Sequence, residues 1–282
     1  MSFPQRLVNS LLTGAYLAFR RLYILPRTEA MLQEVFPQEN IPSLDELGQN
    51  IGIVQEYFSV KPLTYFPSAL FVNHGTPFTG DGLRPVMPKT ILAGFMSCTP
   101  AKPLPEDLET FIQESEHGVI FVSFGSVVKA SKMPEAKRKA MLAVFSRLKQ
   151  RVIWKWEEPM EDAPSNVLVS SWLPQTSLLA HPRVKLFITH GGAGSIQETV
   201  CHKTPIVGVP IGSDQFLNVA EVVSKGVGRQ VGWHGMTEDS LHTAVTEVLG
   251  DSSYQEAVTN LRYSPPYGRT KVWNDFFCQK IS

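Results

Sequence analysis

A short apolar run that leads directly into a glycine-rich turn constrains the fold of this chain most strongly. The run VKLFIT, residues 184–189, has strand length and suits a strand buried on both faces of a parallel sheet. The segment HGGAGS, residues 190–195, follows at once, and its glycines allow a tight turn and a close approach of a ligand to the backbone. A helix is predicted from about residue 192 to residue 202. Its N-terminus offers free N–H groups to an anion, for which we expect a phosphate or diphosphate, with His190 beside it as a further donor.

Strands and helices alternate regularly along the second half of the chain. This alternation predicts βαβ units, a parallel sheet with helices on both faces and, with right-handed crossovers, a Rossmann-like α/β domain. Asp214 and Gln215 follow one of the strands, at the carboxyl end of the sheet, where open α/β folds bind ligands. The predicted strands span residues 119–124, 151–156, 167–170, 184–189, 205–210 and 228–232, and the predicted helices span 105–118, 134–150, 176–181, 192–202, 214–225 and 237–250.

An amphipathic helix is predicted at the start of the chain, within residues 1–26. Five apolar residues there follow helical spacing. A helix that faces the protein core is the favoured interpretation, and contact with a membrane surface or a targeting segment are the alternatives. No stretch is apolar for long enough to span a bilayer. The five apolar residues are Leu7, Leu11, Leu12, Ala15 and Phe19.

Two more helices and two strands are predicted before residue 90. Ser43 and Glu46 have the spacing of a capping box, so a helix is expected to begin there. The segment after the strands is rich in glycine and proline and is expected to form a surface loop. In chain order, a helix spans residues 28–36, the strands span 51–58 and 69–73, and the loop spans 75–89.

The segment PAKPLP, residues 100–105, is the best candidate for an interdomain linker. Its three prolines favour a stiff, extended backbone. We therefore expect a partial domain over residues 1–99 and a second domain over residues 106–282.

Charge and cysteine content exclude several classes of protein. Lysine plus arginine and aspartate plus glutamate number 26 each, so there is no basic excess that favours nucleic-acid binding. The three cysteines, Cys98, Cys201 and Cys278, are scattered and predict neither a zinc site nor a disulfide framework. Cys201 lies in the predicted helix after the glycines, where we expect it to act as a small buried apolar residue.

The glycine cluster does not follow the patterns of other nucleotide-binding proteins. With Gly192 and Gly194 in register, Gln197 takes the place of the third glycine of G-x-G-x-x-G, which disfavours a dinucleotide oxidoreductase. The chain contains neither a P-loop sequence nor an Asp-x-Asp motif. No histidine or cysteine spacing indicates a metal site.

The chain resembles the UDP-glycosyltransferases, in particular the UDP-glucuronosyltransferase-like membrane enzymes of animals. The resemblance extends from the first residues to about Leu261. It implies a GT-B-like fold, with a nearly complete Rossmann-like C-terminal domain for the nucleotide sugar and a partial N-terminal domain for the acceptor. Relative to the family the chain looks truncated at both ends. The matching residues, in order, are 121–126, 164–167, SWLPQ at 171–175, FITHGGAGSIQE at 187–198 and TPIVGVPIGSDQ at 204–215.

The resemblance implies the transfer of a hexosyl or glucuronosyl group from a UDP-sugar to a small lipophilic acceptor, with inversion at the anomeric carbon. In the family a histidine oriented by an aspartate deprotonates the acceptor. No residue of this sequence matches that pair, so no catalytic residue is assigned. His74 follows a predicted strand, but the matching strand of the family carries no catalytic group. No metal or cofactor is expected besides the donor UDP-sugar.

Five residues are implied to contact the nucleoside and the transferred sugar. Trp172 matches the tryptophan that stacks on uracil, with a core tryptophan at a strand end as the alternative. Gln175 matches the glutamine near the uracil or ribose, and Glu198 matches the acid that accepts hydrogen bonds from the ribose hydroxyls. Asp214 and Gln215 match the pair that binds the sugar hydroxyls. For Asp214, helix N-capping is a further or alternative role.

Another five residues are implied to surround the diphosphate. Gly125 and Ser126 match the turn that approaches the phosphates from a facing strand, with an ordinary Gly-Ser turn as the alternative. His190 and Ser195 match donors to the diphosphate, and Gly192 lies between them in the glycine-rich turn. Such donors stabilise the leaving UDP as negative charge builds on it.

Location and partners are likewise implied by the resemblance alone. It implies an enzyme on the lumenal side of the endoplasmic reticulum membrane, a role in detoxification, and homo- or hetero-oligomers with full-length family members. The alternative function is a catalytically silent module that binds UDP-sugar or regulates full-length subunits.

Overall fold

The structure is a computed structural model that describes residues 3–37, 43–44, 53–56, 70–73, 90–92, 98–126 and 128–261. These residues fall into two units, one within Met1–Val72 and Val86–Ile91 and the other within Asn73–Pro85 and Leu92–Ser282. The predicted linker, residues 100–105, contains neither helix nor strand. The domain boundary assigned to it stays a prediction.

The first unit begins with two helices, α1 (Phe3–Phe19) and α2 (Leu25–Val35), joined by one π-helical segment. Three short strands follow and form a sheet in the order β1-β2-β3. The first two strands confirm the prediction, and the third was not predicted. Glu46 of the capping box, His74 and the loop 75–89 lie outside the described residues. The strands are β1 (Ile53–Glu56), β2 (Leu70–Asn73) and β3 (Thr90–Leu92).

The predicted helix at the start of the chain is confirmed, but the prediction that it faces the core is wrong. Leu7, Leu11, Leu12 and Phe19 are all at least 50% exposed. Helical periodicity predicts that apolar side chains share one face, and it carries no information about what covers that face. Within the described part of the chain, no helix is both long and apolar enough to cross a bilayer.

The second unit is built on six strands and seven α-helices within its described residues. The predicted helices and strands of this part are confirmed, most of them within three residues of the predicted ends, and the last helix was not predicted. The strands are β4 (Val119–Ser123), β5 (Arg151–Lys155), β6 (Val167–Ser170), β7 (Val184–Thr189), β8 (Ile206–Gly208) and β9 (Gly228–Gln230). The helices are α3 (Glu106–Gln113), α4 (Glu135–Arg147), α5 (Gln175–Leu179), α6 (Ala193–His202), α7 (Gln215–Ser224), α8 (Glu238–Gly250) and α9 (Ser252–Asn260).

The six strands form one parallel sheet in the order β6-β5-β4-β7-β8-β9. The chain starts at β4 in the middle, moves outward through β5 and β6, and returns to place β7 on the other side of β4. The direction of winding therefore reverses between β4 and β7, which makes their carboxyl ends the topological switch point of a doubly wound sheet. The predicted Rossmann-like domain is confirmed.

Both faces of this sheet are buried by helices. Alternate residues of β4 point to opposite sides, so that Ile120 and Val122 join one apolar core and Val119 and Phe121 join the other. Helices α4 and α8 cover the first core, and α3, α6, α7 and α9 cover the second. Phe121 stacks on Phe187 of β7 with ring centroids 4.9 Å apart. Burial on both sides fixes the two central strands, and with them the loops at their ends.

Cys98 and Cys201 form a disulfide, with Cα atoms 5.9 Å apart. The bond links the segment that precedes residues 100–105 to the last turn of α6. The predictions that the cysteines form no disulfide and that Cys201 is only a small buried apolar residue are therefore wrong. The pair could not be predicted because 103 positions separate the two residues and no spacing rule connects them.

The disulfide predicts the number of free thiols. Without reductant, the denatured chain should expose about one thiol, that of Cys278, and all three cysteines should react after reduction. Cys201→Ser should release Cys98 and lower the free energy of unfolding by up to about 4 kcal/mol, because it opens a long loop. Thiol titration and denaturant unfolding measure both effects. Cys278→Ser is the control, with no free thiol before reduction, and three thiols in the unreduced wild type would contradict the pairing.

Candidate functional site

The switch point between β4 and β7 brings together residues that lie far apart in the sequence. Strand β4 pairs with β7 up to Ser123 and Thr189, so the segments after both strands begin side by side. Gly125 lies two residues beyond Ser123, and His190 follows Thr189 directly. The imidazole of His190 consequently lies against the backbone of Gly125, and Gly192 of the following turn approaches it as well.

A side chain at either glycine beside this imidazole would press against the ring. A Cβ atom built on Gly125 would lie 2.8 Å from His190 Nε2, and one built on Gly192 would lie 2.7 Å from the same atom. Gly125 also has φ +85°, a left-handed conformation that side chains disfavour. The turn at Gly125 is therefore part of the environment of His190. Ser126 is exposed at its edge.

Burial keeps His190 neutral near pH 7. It lowers the pKa of the imidazole to about 4, although the Asp214 carboxylate raises it in part. The Nδ1 atom is buried and has no hydrogen-bond partner within the described part of the chain. A neutral imidazole donates one N–H and carries no charge, so His190 offers a hydrogen bond and no ion pair.

Two hydrogen-bond donors at the start of α5 converge on the carboxylate of Glu198, which lies on α6. Gln175 Nε2 donates to Ser195 Oγ at 3.1 Å and to Glu198 Oε2 at 2.5 Å. Thr176 Oγ1 donates to the other carboxylate oxygen of Glu198 at 2.5 Å. The sequence reasoning missed Thr176, whose only signal was its place directly after Gln175. These hydrogen bonds hold the carboxylate in one orientation.

Asp214 and Gln215 lie in the loop after β8, where α7 begins. Gln215 Oε1 accepts hydrogen bonds from the N–H groups of Ile211 at 2.9 Å and Gly212 at 3.0 Å. Asp214 occupies the N-cap position of α7, but its side chain makes no capping bond. It accepts instead from Asn218 Nδ2 at 2.6 Å.

Asn218 is a buried residue that the sequence reasoning missed. Its Nδ2 also donates to the carbonyl of Gly191 at 3.1 Å, which ties the glycine-rich turn to α7. The capping role considered for Asp214 is therefore not the one its side chain performs. The asparagine looked like an ordinary helix residue in the sequence, so nothing marked it.

Trp172 lies two residues beyond β6, with 73% of its surface exposed. The alternative that it is a core tryptophan is therefore wrong. A flat indole ring at the carboxyl edge of the sheet is available for stacking.

Metal ligation has no candidate within the described residues. No group of three or more histidine, cysteine, aspartate or glutamate side chains there is placed to hold a metal ion. The expectation that UDP-sugar is bound without a metal or cofactor stays a prediction.

The sequence of this chain matches a known protein family. A family model described as UDP-glucoronosyl and UDP-glucosyl transferase matches residues 77–264, well over half of the 282 residues. The chain belongs to this family. The family consists of UDP-glycosyltransferases, so the resemblance inferred from the motif residues is confirmed.

Individual relatives agree with the family assignment. UDP-glucosyltransferase 2 of Dactylopius coccus is 34% identical over 286 aligned positions, which cover 98% of this chain and 51% of that relative. UDP-glucuronosyltransferase 2B14 of Oryctolagus cuniculus is 39% identical over 180 positions, which cover 63% of this chain and 34% of that relative. The matched part thus spans about half the length of the first relative and about a third of the second.

Solved structures support the fold. A UDP-glucosyltransferase from Polygonum tinctorium has a TM-score of 0.57 and 22% identity, and the match covers 75% of this chain and 54% of that one. The glycosyltransferase of kitacinnamycin has a TM-score of 0.55 and covers 68% of this chain. The predicted GT-B-like α/β fold is confirmed. The roles of the individual site residues stay predictions.

The neutral, largely buried His190 predicts a pH-dependent contribution to stability. Its pKa is about 4 in the folded protein and 6.5 when unfolded, so the unfolded state binds more protons between these values. The stability due to neutral His190 is complete above pH 6.5 and is lost as the pH falls towards 4. From pH 7 to pH 4.5, wild type should lose roughly 2 kcal/mol more than His190→Asn.

Urea unfolding at the two pH values measures this difference, and subtraction of the variant removes the contribution of the carboxylates. The exposed His234 provides the control, because His234→Asn should leave the wild-type pH dependence in place. Equal losses in wild type and His190→Asn would contradict a buried neutral imidazole.

The packing around His190 predicts that its two neighbouring glycines do not accept a methyl group. Gly125→Ala should destabilise the fold by roughly 1–3 kcal/mol, from its positive φ and its contact with the ring. Gly192→Ala should cost a similar amount from the contact alone. At Gly235 a Cβ would meet nothing within 4 Å, so Gly235→Ala is the control. Thermal unfolding compares the three variants, and equal stability of all three would contradict the close packing.

Proposed function

We propose that this chain forms the donor-binding half of a UDP-glycosyltransferase that transfers a hexosyl or glucuronosyl group from a UDP-sugar to a small lipophilic acceptor, with inversion. One observation carries the proposal. At the switch point of the sheet, the carboxyl ends of β4 and β7 place Gly125, His190 and the N-terminus of α6 around one position. In doubly wound folds this is the place where nucleotides bind.

The diphosphate is proposed to lie at the N-terminus of α6. This helix has ten residues, and the N–H groups of its first turn have no partner inside the helix. The helix dipole adds partial positive charge there. His190 adds a neutral N–H donor from the side of β7. Oriented donors of this kind stabilise negative charge on UDP as the glycosidic bond breaks.

The nucleoside is proposed to lie between Trp172 and Glu198. The exposed indole offers a stacking surface for uracil. The Glu198 carboxylate accepts hydrogen bonds from the ribose hydroxyls, and Gln175 and Thr176 hold it in place for that purpose. Two hydroxyl donors facing one fixed carboxylate give strong hydrogen bonds.

The transferred sugar is proposed to contact the loop after β8. Gln215 uses its carbonyl oxygen for two backbone N–H groups, so its NH₂ group is the end that can donate to a sugar hydroxyl. Asp214 is fixed through Oδ2 by Asn218 and can accept a sugar hydroxyl through its other oxygen.

No residue of this chain is assigned as the base that deprotonates the acceptor. The relatives reported above are named as transferases, which supports a transferase over a silent binding module. From the family resemblance we also propose a site on the lumenal side of the endoplasmic reticulum membrane, a role in detoxification, and pairing with full-length family members.

The proposed donor site predicts that the purified chain binds UDP in a calorimetric titration. Trp172→Leu should weaken binding by about 5- to 100-fold, because it removes a stacking interaction of ~1–3 kcal/mol. Trp172→Phe keeps an aromatic face and is the matched control, with a smaller loss. His190→Ala should also weaken UDP. If circular dichroism shows folded wild type and UDP still fails to bind, the donor-site assignment is wrong.

A further inference from the structure

Lys155, the last residue of β5, contacts the turn that follows β4. Its Nζ atom donates to the carbonyl oxygen of Gly125 at 2.9 Å and to Glu157 Oε1 at 3.0 Å. The side chains of Lys155 and Glu157 are only 11% and 18% exposed. A lysine this buried, with an ammonium directed at a main-chain carbonyl, contributes to local structure more than a solvated surface lysine does.

The Lys155–Glu157 pair holds both ends of the segment between Gly125 and Ser131. Glu157 Oε2 accepts the backbone N–H of Ser131 at 3.0 Å while Oε1 accepts Lys155. Burial raises the pKa of Glu157, but the bonds from Ser131 and Lys155 outweigh it and the pKa is lowered. Glu157 is therefore ionised near neutral pH, and the pair carries compensating charges.

The carbonyl held by Lys155 belongs to the same peptide unit as the N–H of Ser126. In a trans peptide the two groups point in opposite directions. The chain contains no cis peptide bond among its described residues. Fixing the Gly125 carbonyl towards Lys155 thus fixes the Ser126 N–H on the opposite side, as a donor of set direction.

The same ammonium reaches the proposed uracil surface. Lys155 Nζ lies 5.9 Å from the ring centroid of Trp172, within the range of a cation–π contact. The backbone supports this arrangement, because β5 pairs with β6 at Lys155 and Ser170 and the Ser170 hydroxyl donates to the Trp172 carbonyl at 3.0 Å. The Lys155 side chain therefore bonds to the Gly125–Ser126 turn, which is proposed to face the diphosphate. It also lies beside Trp172, which is proposed to stack on uracil.

We infer that Lys155, held by Glu157, is a positioning residue of the donor site that orients the Gly125–Ser126 turn towards the diphosphate of UDP. The inference rests on the proposed function. Lys155 acts through the peptide it holds and through Trp172. Its loss should therefore reduce binding of the diphosphate more than binding of the nucleoside alone.

The test compares UDP with uridine, a ligand that lacks the diphosphate, by calorimetry on the full chain. Lys155→Met removes the ammonium and keeps the length of the side chain. It should weaken UDP binding by about 10- to 100-fold, which corresponds to the loss of one charge-assisted hydrogen bond. The affinity for uridine should fall by about 3-fold or less, because only the weak cation–π contact is lost. Lys155→Arg keeps a cationic donor and should restore most of the UDP affinity. Lys139→Met, at a side chain 70% exposed, is the matched control and should change neither ligand.

The outcomes separate the inference from the proposed function. If the wild type fails to bind UDP, the proposed function itself is wrong. Equal losses of UDP and uridine in Lys155→Met, or unchanged UDP affinity, overturn the positioning role, as does an arginine variant that is no better than methionine. Should Lys155→Met fail to fold by circular dichroism, Glu157→Gln gives the same comparison. This variant keeps Lys155 but weakens the hydrogen bond that holds its ammonium. It should lower the affinity for UDP relative to that for uridine, by a smaller factor than Lys155→Met.

Discussion

The contact between the His190 ring and two glycines, at the point where β4 and β7 diverge, is the constraint on which the rest of the site depends. Burial of the sheet on both faces fixes the ends of the two strands, so the following residues have little freedom. The ring lies where a Cβ of residue 125 or 192 would press against it, and its burial makes the neutral form the stable one. The position of the His190 ring, the two glycines beside it and the neutral state of the imidazole therefore follow from one packing arrangement.

Helix α6 connects this constraint to the remaining parts of the site. Its first turn faces the ring, Ile196 and Val200 anchor it in the core, and Glu198 is held by Gln175 and Thr176 of α5. The disulfide at Cys201 fixes its last turn to the segment before the predicted linker. A helix fixed at its middle and at both ends holds its N–H groups and its carboxylate in one relative arrangement, which reduces the reorganisation needed when a ligand binds.

Local patterns predicted the sheet, and they failed where the answer depends on distant partners. The run VKLFIT was predicted to the residue because β-branched composition and the glycines after it define both ends. Pro205 and Pro210 explain why the strand between them is only Ile206–Gly208, since proline donates no ladder hydrogen bond. The exposed face of α1, the disulfide, and the contacts of Thr176, Asn218 and Lys155 join segments that no local rule connects.

The basic side chains beside the proposed diphosphate carry no unpaired positive charge, which decides how the site can hold an anion. The ammonium of Lys155 is balanced by Glu157, and His190 is neutral, so neither contributes an unpaired positive charge beside the proposed diphosphate. A buried unpaired cation would carry a large desolvation cost in the absence of ligand. The α6 N-terminus, the imidazole N–H and the oriented Ser126 N–H avoid that cost, because their dipoles are fixed by hydrogen bonds and packing already present in the fold. The affinity for the diphosphate then depends on how accurately these donors are oriented. Residues that orient the donors therefore influence the affinity without touching the ligand.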